Sequence, residues 1–568
     1  MKLKKVLAAL LACAMVASFS ACGGSEGETS GETATPGESG AAAGEETLDA
    51  EQYANLVLSN EPSSMDPGKS SDVYSASIMV DTLEPLVRLE DISGESVVAP
   101  AGAESWETSE DGLTWTFHLR ENTWSDGVPV TAKDYEYGIK RTADPNTGSP
   151  NSFFLSPLVN ADAVMAGEMS VDELGVKAID DKTLEIKLSH PTPWFLGLTY
   201  QKAMMPVRQD LVEKYGETFG AEQESLVSCG PFKVTSWTHN SEMVLEKNES
   251  YWDKDTVKLN TIHYSILTDE NAVLNSLDNN SVDQAGVIKK EWMERFNQRD
   301  DMTYVTYTQP KVQFLHFNVN DPVVGNVNIR KALSLSIDRN DFNEVIYKGV
   351  NTPAYGWIPP TVVSGTSGEY RAQVDEPLKK LAEENPDPKA LLQKGMEELG
   401  IANPADLHIT MSVSGTDQWN RTFAEYLQQV WSKNLGINVE MEFYEWATFD
   451  ANVHKGDYQV GTMAWTMDYN DPMGMLELLK SSSASIVTNW VNEEYDSLID
   501  QATQEADDAK RLELYKRAEE ILLYEDCVVC PNVYMNVSMY RYNYLKGVPT
   551  NTFTTYSQGM KYAYTSGR

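Results

Sequence analysis

From Tyr53 to Arg568 no low-complexity stretch interrupts the chain, and this unbroken length is what most limits its fold. At roughly 150 residues per domain it holds three or four domain-sized units. With no linker between them, these units are expected to share one compact body, with the chain crossing between them. The stretch has no apolar run of the roughly 20 residues that would span a bilayer. It contains only Cys229, Cys527 and Cys530, too few for a disulfide framework. Cys527 and Cys530 have CxxC spacing, but they sit in a Val-rich run before Pro531. On a strand, positions i and i+3 face opposite ways, so buried thiols are expected there rather than redox or metal chemistry.

The patterning within the body is α/β. Leu113, Trp115, Phe117 and Leu119 alternate with polar residues, as do Ile437, Val439, Met441 and Phe443, and both runs predict strands. Asp387-Pro388 offers an N-cap and an N1 proline for a helix that Gly400 ends. A second helix is expected over 418–434, with the stripe Phe423, Leu427, Val430 and Trp431 and Gly436 as its stop. A third is expected over 502–524. No repeat of solenoid period is present.

Ahead of the body stands an export address. Lys2, Lys4 and Lys5 precede an apolar stretch from Val6 to Phe19, and small residues Ser20-Ala21 come before Cys22, which is the pattern of a signal peptide over 1–21. From Gly23 to Glu51 the chain has seven Glu, one Asp and no Lys or Arg, too polar to collapse. It reads as an acidic tether over 22–52, stretched by its own charge, with the folded part starting near Tyr53.

Composition excludes more chemistry than it suggests. Asp and Glu number 85 against 45 Lys and Arg, a net charge of -40, and such a field repels phosphate backbones. Nucleic acid is therefore not an expected partner. The seven histidines are scattered without metal-ligand spacing, no cofactor motif is present, and Gly365-Thr366-Ser367-Gly368-Glu369 lacks the second glycine of a nucleophile elbow. Paired carboxylates of a hydrolase could stand among the many acids, and this is the enzyme alternative. No catalytic residue is assigned.

Several ordered stretches carry a resemblance. Glu61–Pro67 (EPSSMDP), Trp115–Asn122 (WTFHLREN), Trp124–Asp134 (WSDGVPVTAKD), Arg141–Thr147 (RTADPNT), Gly230–Lys233 (GPFK), Leu245–Asn248 with Tyr251-Trp252, Ile329–Leu333 with Ile337–Arg339, and Ala464–Pro472 (AWTMDYNDP) span nearly the whole body. In order and spacing the chain resembles the extracytoplasmic oligopeptide-binding proteins of ABC importers. Phe19-Ser20-Ala21-Cys22 likewise resembles the lipobox of bacterial lipoproteins, with Phe19 in place of the usual Leu. Lipidation of Cys22 and ordinary cleavage after Ala21 are the two readings of that site.

The resemblance implies a type II periplasmic-binding-protein fold of two lobes, one subdivided, with a hinge crossed twice. Lobe I would combine 53–83, 208–310 and 530–568; an inserted subdomain would occupy 84–207 and lobe III 311–529. It implies a monomer, without cofactor or metal, on the outer face of the bacterial cytoplasmic membrane. There it would pass oligopeptides to a permease. In the family, segments of both lobes pair with the ligand backbone, and the matching positions are Ser71, Asp72, Val73 and Tyr74 and Ala464, Trp465 and Thr466. The acid of the Asp-Tyr-Asn motif receives the peptide ammonium, which points to Asp468 with Tyr469 and Asn470. Trp446 and Trp465 match aromatics that line side-chain pockets, and Asp471-Pro472 reads as a helix start.

Some family features are replaced. Side chains that hold the ligand carboxylate correspond to Asn420, Val453 and Thr462, a ligand-contacting aromatic to Asn151, and a disulfide to Lys311 and Thr466. The same fold serving a signalling peptide, a cell-wall peptide or another small solute is the alternative within the transport class.

Overall fold

A computed structural model describes residues 47–92, 95–483, 485–550 and 559–568. The signal segment, Cys22 and the tether up to residue 46 lie outside the described residues. The rest of the expected tether is not free. The Asp49 amide donates to the Thr565 carbonyl at 3.0 Å, and the buried Gln52 side chain donates to the same carbonyl at 2.8 Å. Firm contacts thus begin ahead of Tyr53, because Asp49 and Gln52 have partners near the C-terminus that local composition does not reveal.

Strand β1 (Tyr53–Leu58) buries Ala54, Leu56 and Leu58 in strict alternation. Helix α1 (Val73–Thr82) starts at Asp72, whose carboxylate accepts from the Ser75 amide at 2.7 Å. A four-stranded antiparallel sheet follows, built from β2 (Ala103–Thr108), β3 (Thr114–Leu119), β4 (Val176–Ala178) and β5 (Thr183–Lys187) in the order β2-β3-β5-β4. The chain then adds β6 (Phe232–Thr238), β7 (Glu242–Lys247) and β8 (Thr261–Ile266) to β1, in the order β1-β8-β7-β6. β1 and β8 are parallel, a pairing that requires a long crossover, here supplied by everything between them.

The largest sheet carries the site. Along its path run β9 (Gln284–Gly286), β10 (Met302–Phe317), β11 (His408–Ser414), β12 (Asn438–Tyr444), β13 (Val460–Thr466) and β14 (Val529–Tyr542), in the order β9-β14-β10-β13-β11-β12, and the two-residue strand Thr352–Pro353 also pairs with β14. Helix α2 (Gln418–Leu435), capped by Asp417 and ended by Gly436 at φ +77°, packs Phe423, Leu427 and Trp431 onto it with Leu315, Ile409 and Met411. β10 and β14 are the two longest strands of this sheet, 16 and 14 residues. Met302–Thr308 pair with Asn536–Tyr542, and Val312–His316 pair with Val529–Tyr534, with the register broken between Thr308 and Val312. Helix α3 (Trp446–Lys455) stands between β12 and β13.

Two local expectations are refined. The single helix expected over 502–524 is two, Glu493–Gln504 and Asp508–Glu520. The break occurs because Asp507 accepts from the amides of Ala509 and Lys510 and so opens a new helix. Cys527 and Cys530 are fully buried, and burial pushes both thiols up, Cys527 to about 12, which removes them from thiolate chemistry.

Candidate functional site

β13 has one finished edge and one open one. On one side β10 pairs with it from Val460 to Thr466. On the other, β11 follows only at Met411↔Val460 and Ser412↔Gly461. Beyond Gly461 no strand pairs with that edge among the described residues. Hydrogen bonds from Asn318 N to Gln459 O (3.0 Å) and from Met467 N to Pro310 O (2.8 Å) bracket the β10 pairing. Hydrogen-bonded pairs alternate in an antiparallel ladder. Gly461, Met463 and Trp465 therefore turn their backbone groups toward β10, whereas Thr462, Ala464 and Thr466 turn theirs outward. The side chains of these three also share one face with Lys311, Gln313 and Leu315 opposite them.

Where β13 ends, the chain turns through Met467–Asp471. Asp468 is mostly buried, nothing among the described residues donates to its carboxylate, and burial pushes it up to about 6. Its backbone carbonyl accepts from Gln201 Nε2 at 2.6 Å. Asp471 is fully engaged by contrast. It accepts from Met473 N (2.9 Å) and Tyr515 Oη (2.7 Å) and faces Arg511 at 3.8 Å, so the helix-start reading stands.

Tyr469 and the half-buried Asn470 are both tied down within the fold. Tyr469 is buried, stacks on Trp194 with ring centroids 5.6 Å apart, and donates to Glu477 at 2.6 Å. Asn470 Oδ1 accepts from Val363 N at 2.9 Å. Both hold the loop that presents Asp468. Trp465 packs against the main core, its indole N–H buried without a partner.

The first predicted segment is also only partly extended. Ser71 is exposed and Asp72 is in β conformation, but Val73 and Tyr74 already form the first turn of α1. Their N–H groups belong to the four a helix start leaves unpaired, so strand-like pairing stops at Asp72. The Asp72 carboxylate is held below its usual range because bonds from Ser63 and Ser75 outweigh the opposing effect of burial. Lys202, lowered to about 8 by burial, feels the charge of Asp72, while its neighbour Gln201 holds Asp468. Residues 201 and 202 thus link the two segments. Asn151 is buried and donates to Ser70 O at 2.8 Å, fastening the loop before Ser71.

A cavity of about 750 Å³ opens on the face of the sheet that carries Thr462 and Ala464. Its walls include Trp446, which is 55% exposed, with Trp419, Phe423 and Tyr347 and the polar side chains of Asn420, Lys311 and Gln313. Asn420 and Thr462 thus line the space, whereas Val453 is buried with Phe449 and Tyr458. Trp419, Gln201 and Trp194 were not singled out in the sequence. Trp419 lies one helical step before Phe423 and extends its stripe, a legible signal; the other two carry none.

Three comparisons bear on this arrangement. Residues 97–486 match the family model for bacterial extracellular solute-binding proteins, family 5. The chain is 34% identical over 502 residues to the oligopeptide-binding protein OppA of Bacillus subtilis, covering 87% of this chain and 89% of that one. It superposes on the unliganded open form of the periplasmic murein tripeptide-binding protein MppA with a TM-score of 0.76 at 28% identity, covering 92% and 99%. On Listeria monocytogenes OppA bound to peptide the TM-score is 0.73 at 28% identity, covering 92% and 100%. With a long-stranded sheet and a cavity beside an open strand edge, the chain belongs to family 5 of the bacterial extracellular solute-binding proteins and has their two-lobed type II periplasmic-binding fold.

Proposed function

We propose that the protein captures oligopeptides between its lobes and hands them to an ABC import permease, held at the outer face of the cytoplasmic membrane by lipid on Cys22. The observation that carries this reading is the open edge of β13. Thr462, Ala464 and Thr466 offer backbone donors and acceptors to any extended chain, at about 3.3 Å per residue, whatever its side chains. Asp468 fixes the register. A desolvated carboxylate without a partner at the end of such an edge suits the α-ammonium of a peptide, a charge-assisted bond worth about 1.5–3 kcal/mol. Trp446 walls a cavity large enough for varied side chains with water filling the remainder. Ser71 and Asp72, with the unpaired N–H groups of Val73 and Tyr74, close on the ligand from the other side. Lobe I (53–83, 208–310, 530–568) with its inserted subdomain (84–207) then rotates against lobe III (311–529) about the register break of β10 and β14, as a monomer biased by contacts to both lobes.

Protein spanning residues 23–568, purified without denaturant and then unfolded, is expected to release peptides with free amino termini on mass spectrometry. Release of one non-peptide compound, or of nothing, sinks the peptide reading. N-acetylated peptides are expected to bind at least ten-fold more weakly than free ones. Mass measurement of the native N-terminus tests the anchor: a chain starting at unmodified Cys22 overturns it.

A further inference from the structure

Four lysines line the cavity, and their surroundings differ. Lys289 pairs with Glu270 at 3.0 Å, Lys348 donates to the Val345 carbonyl at 2.6 Å, and Lys290 is exposed to solvent. Lys311 is mostly buried on the floor, and among the described residues it has neither an ion pair nor a hydrogen bond. Burial alone lowers its ammonium below the usual range. A desolvated cation without a partner is costly for the folded protein, so its persistence beside a ligand surface calls for an anion that arrives with the ligand.

Register fixes what that anion belongs to. Lys311 stands directly opposite Thr466, and Gln313 opposite Ala464. Neighbouring strands lie about 4.8 Å apart, so a chain added to the open edge of β13 runs about 10 Å from β10. An extended lysine stem reaches about 6 Å from its Cα, and the β13 residues on the same face beside it, Ala464 and Thr466, are small. The remaining gap is the length of an acidic side chain or of a chain end.

We infer that Lys311 is a specificity-determining residue that receives a carboxylate near the amino-terminal end of the bound peptide. That carboxylate is either an acidic side chain within the first three residues or the C-terminus of a very short peptide. The inference rests on the strand-addition reading above and adds a charge preference to it.

Calorimetric titration of the whole mature protein with two probe sets tests it. Pentaalanine amides carrying Glu or Gln at position one, two or three isolate the side-chain source. Trialanine as free acid and as amide isolates the terminal source. The expected result is about ten-fold tighter binding of the carboxylate member in one of the two sets, and the set that shows it names the source. In Lys311→Met the ratio is expected to fall within two-fold of unity, and Lys311→Arg is expected to restore it. Equal binding of both members in both sets overturns the inference while leaving the peptide reading intact. A ratio that persists in Lys311→Met also overturns it. If no probe binds, the peptide reading falls, and this inference with it. The wild-type titrations decide the preference even where a variant folds poorly.

Discussion

Asp468 and Asp471 lie three residues apart, and burial pushes both carboxyls up to about 6. Asp471 is completed from within, by Met473 N, Tyr515 Oη and Arg511. The Asp468 carboxylate accepts nothing from the described residues, although its loop is held by Gln201, Trp194, Glu477 and Val363. The difference separates architecture from recognition. A buried charge that is satisfied locks a helix start, whereas one left open in a loop held by its neighbours is a receptor that awaits its partner.

The sharpest way to break this contrast is Asp471→Ala. It leaves a buried phenol and an amide without their acceptor, while Arg511 keeps Asp508 at 2.5 Å and the Glu505 carbonyl at 3.0 Å, and is expected to cost about 2–3 kcal/mol of stability, read as a lower urea midpoint. Asp468→Asn is expected to do the reverse. It should leave the urea midpoint unchanged or higher while weakening free-amine peptides ten- to hundred-fold, the equivalent of about 1.5–3 kcal/mol. If Asp468→Asn destabilises the protein as much as Asp471→Ala, Asp468 is structural and the distinction is lost.

pH sharpens the comparison. Asp468 titrates at about 6 in the ligand-free fold against about 3.9 when unfolded, so the folded state holds the extra proton. Its contribution to stability is therefore present below about pH 4 and is lost as pH rises through about 6. Peptide affinity moves the opposite way, because the ammonium needs the ionised form. Affinity is expected to fall up to ten-fold per pH unit below about 6 in the wild type and to stay flat in Asp468→Asn. Calorimetry from pH 4.5 to 7.5 checks both slopes.

Gln201→Ala tests the frame rather than the receptor, since it frees the carbonyl of Asp468. A loss of about 1 kcal/mol in peptide affinity is expected, with the pH profile unmoved. Smallest of all is Trp446→Ala. Its ring is largely exposed, so stability should stay within about 0.5 kcal/mol, while preference among bulky peptide side chains shifts.

Much of this was legible in residue order. The strand at 438–444 was visible in its alternation, and the helix at 418–435 in its stripe and terminal glycine, because periodicity and stop signals are local. The split of the expected 502–524 helix was missed although Asp507 is a local cap, because the apolar period continues across it. The motif around Asp468 was visible as a resemblance, but not the burial of Tyr469, which depends on Trp194, distant in sequence. Nor could composition show that Asp49 and Gln52 dock on Thr565.

The sequence by itself determined the α/β class, the lack of a disulfide framework and the family, since these rest on composition, period and ordered motifs. Only the tertiary structure decided which edge of β13 stays open, which of two neighbouring carboxylates accepts nothing among the described residues and that Lys311 lines the cavity. Those properties belong to the space between segments hundreds of residues apart. A residue's chemistry there is set by what its neighbours supply or withhold, and that is not written beside it in the chain.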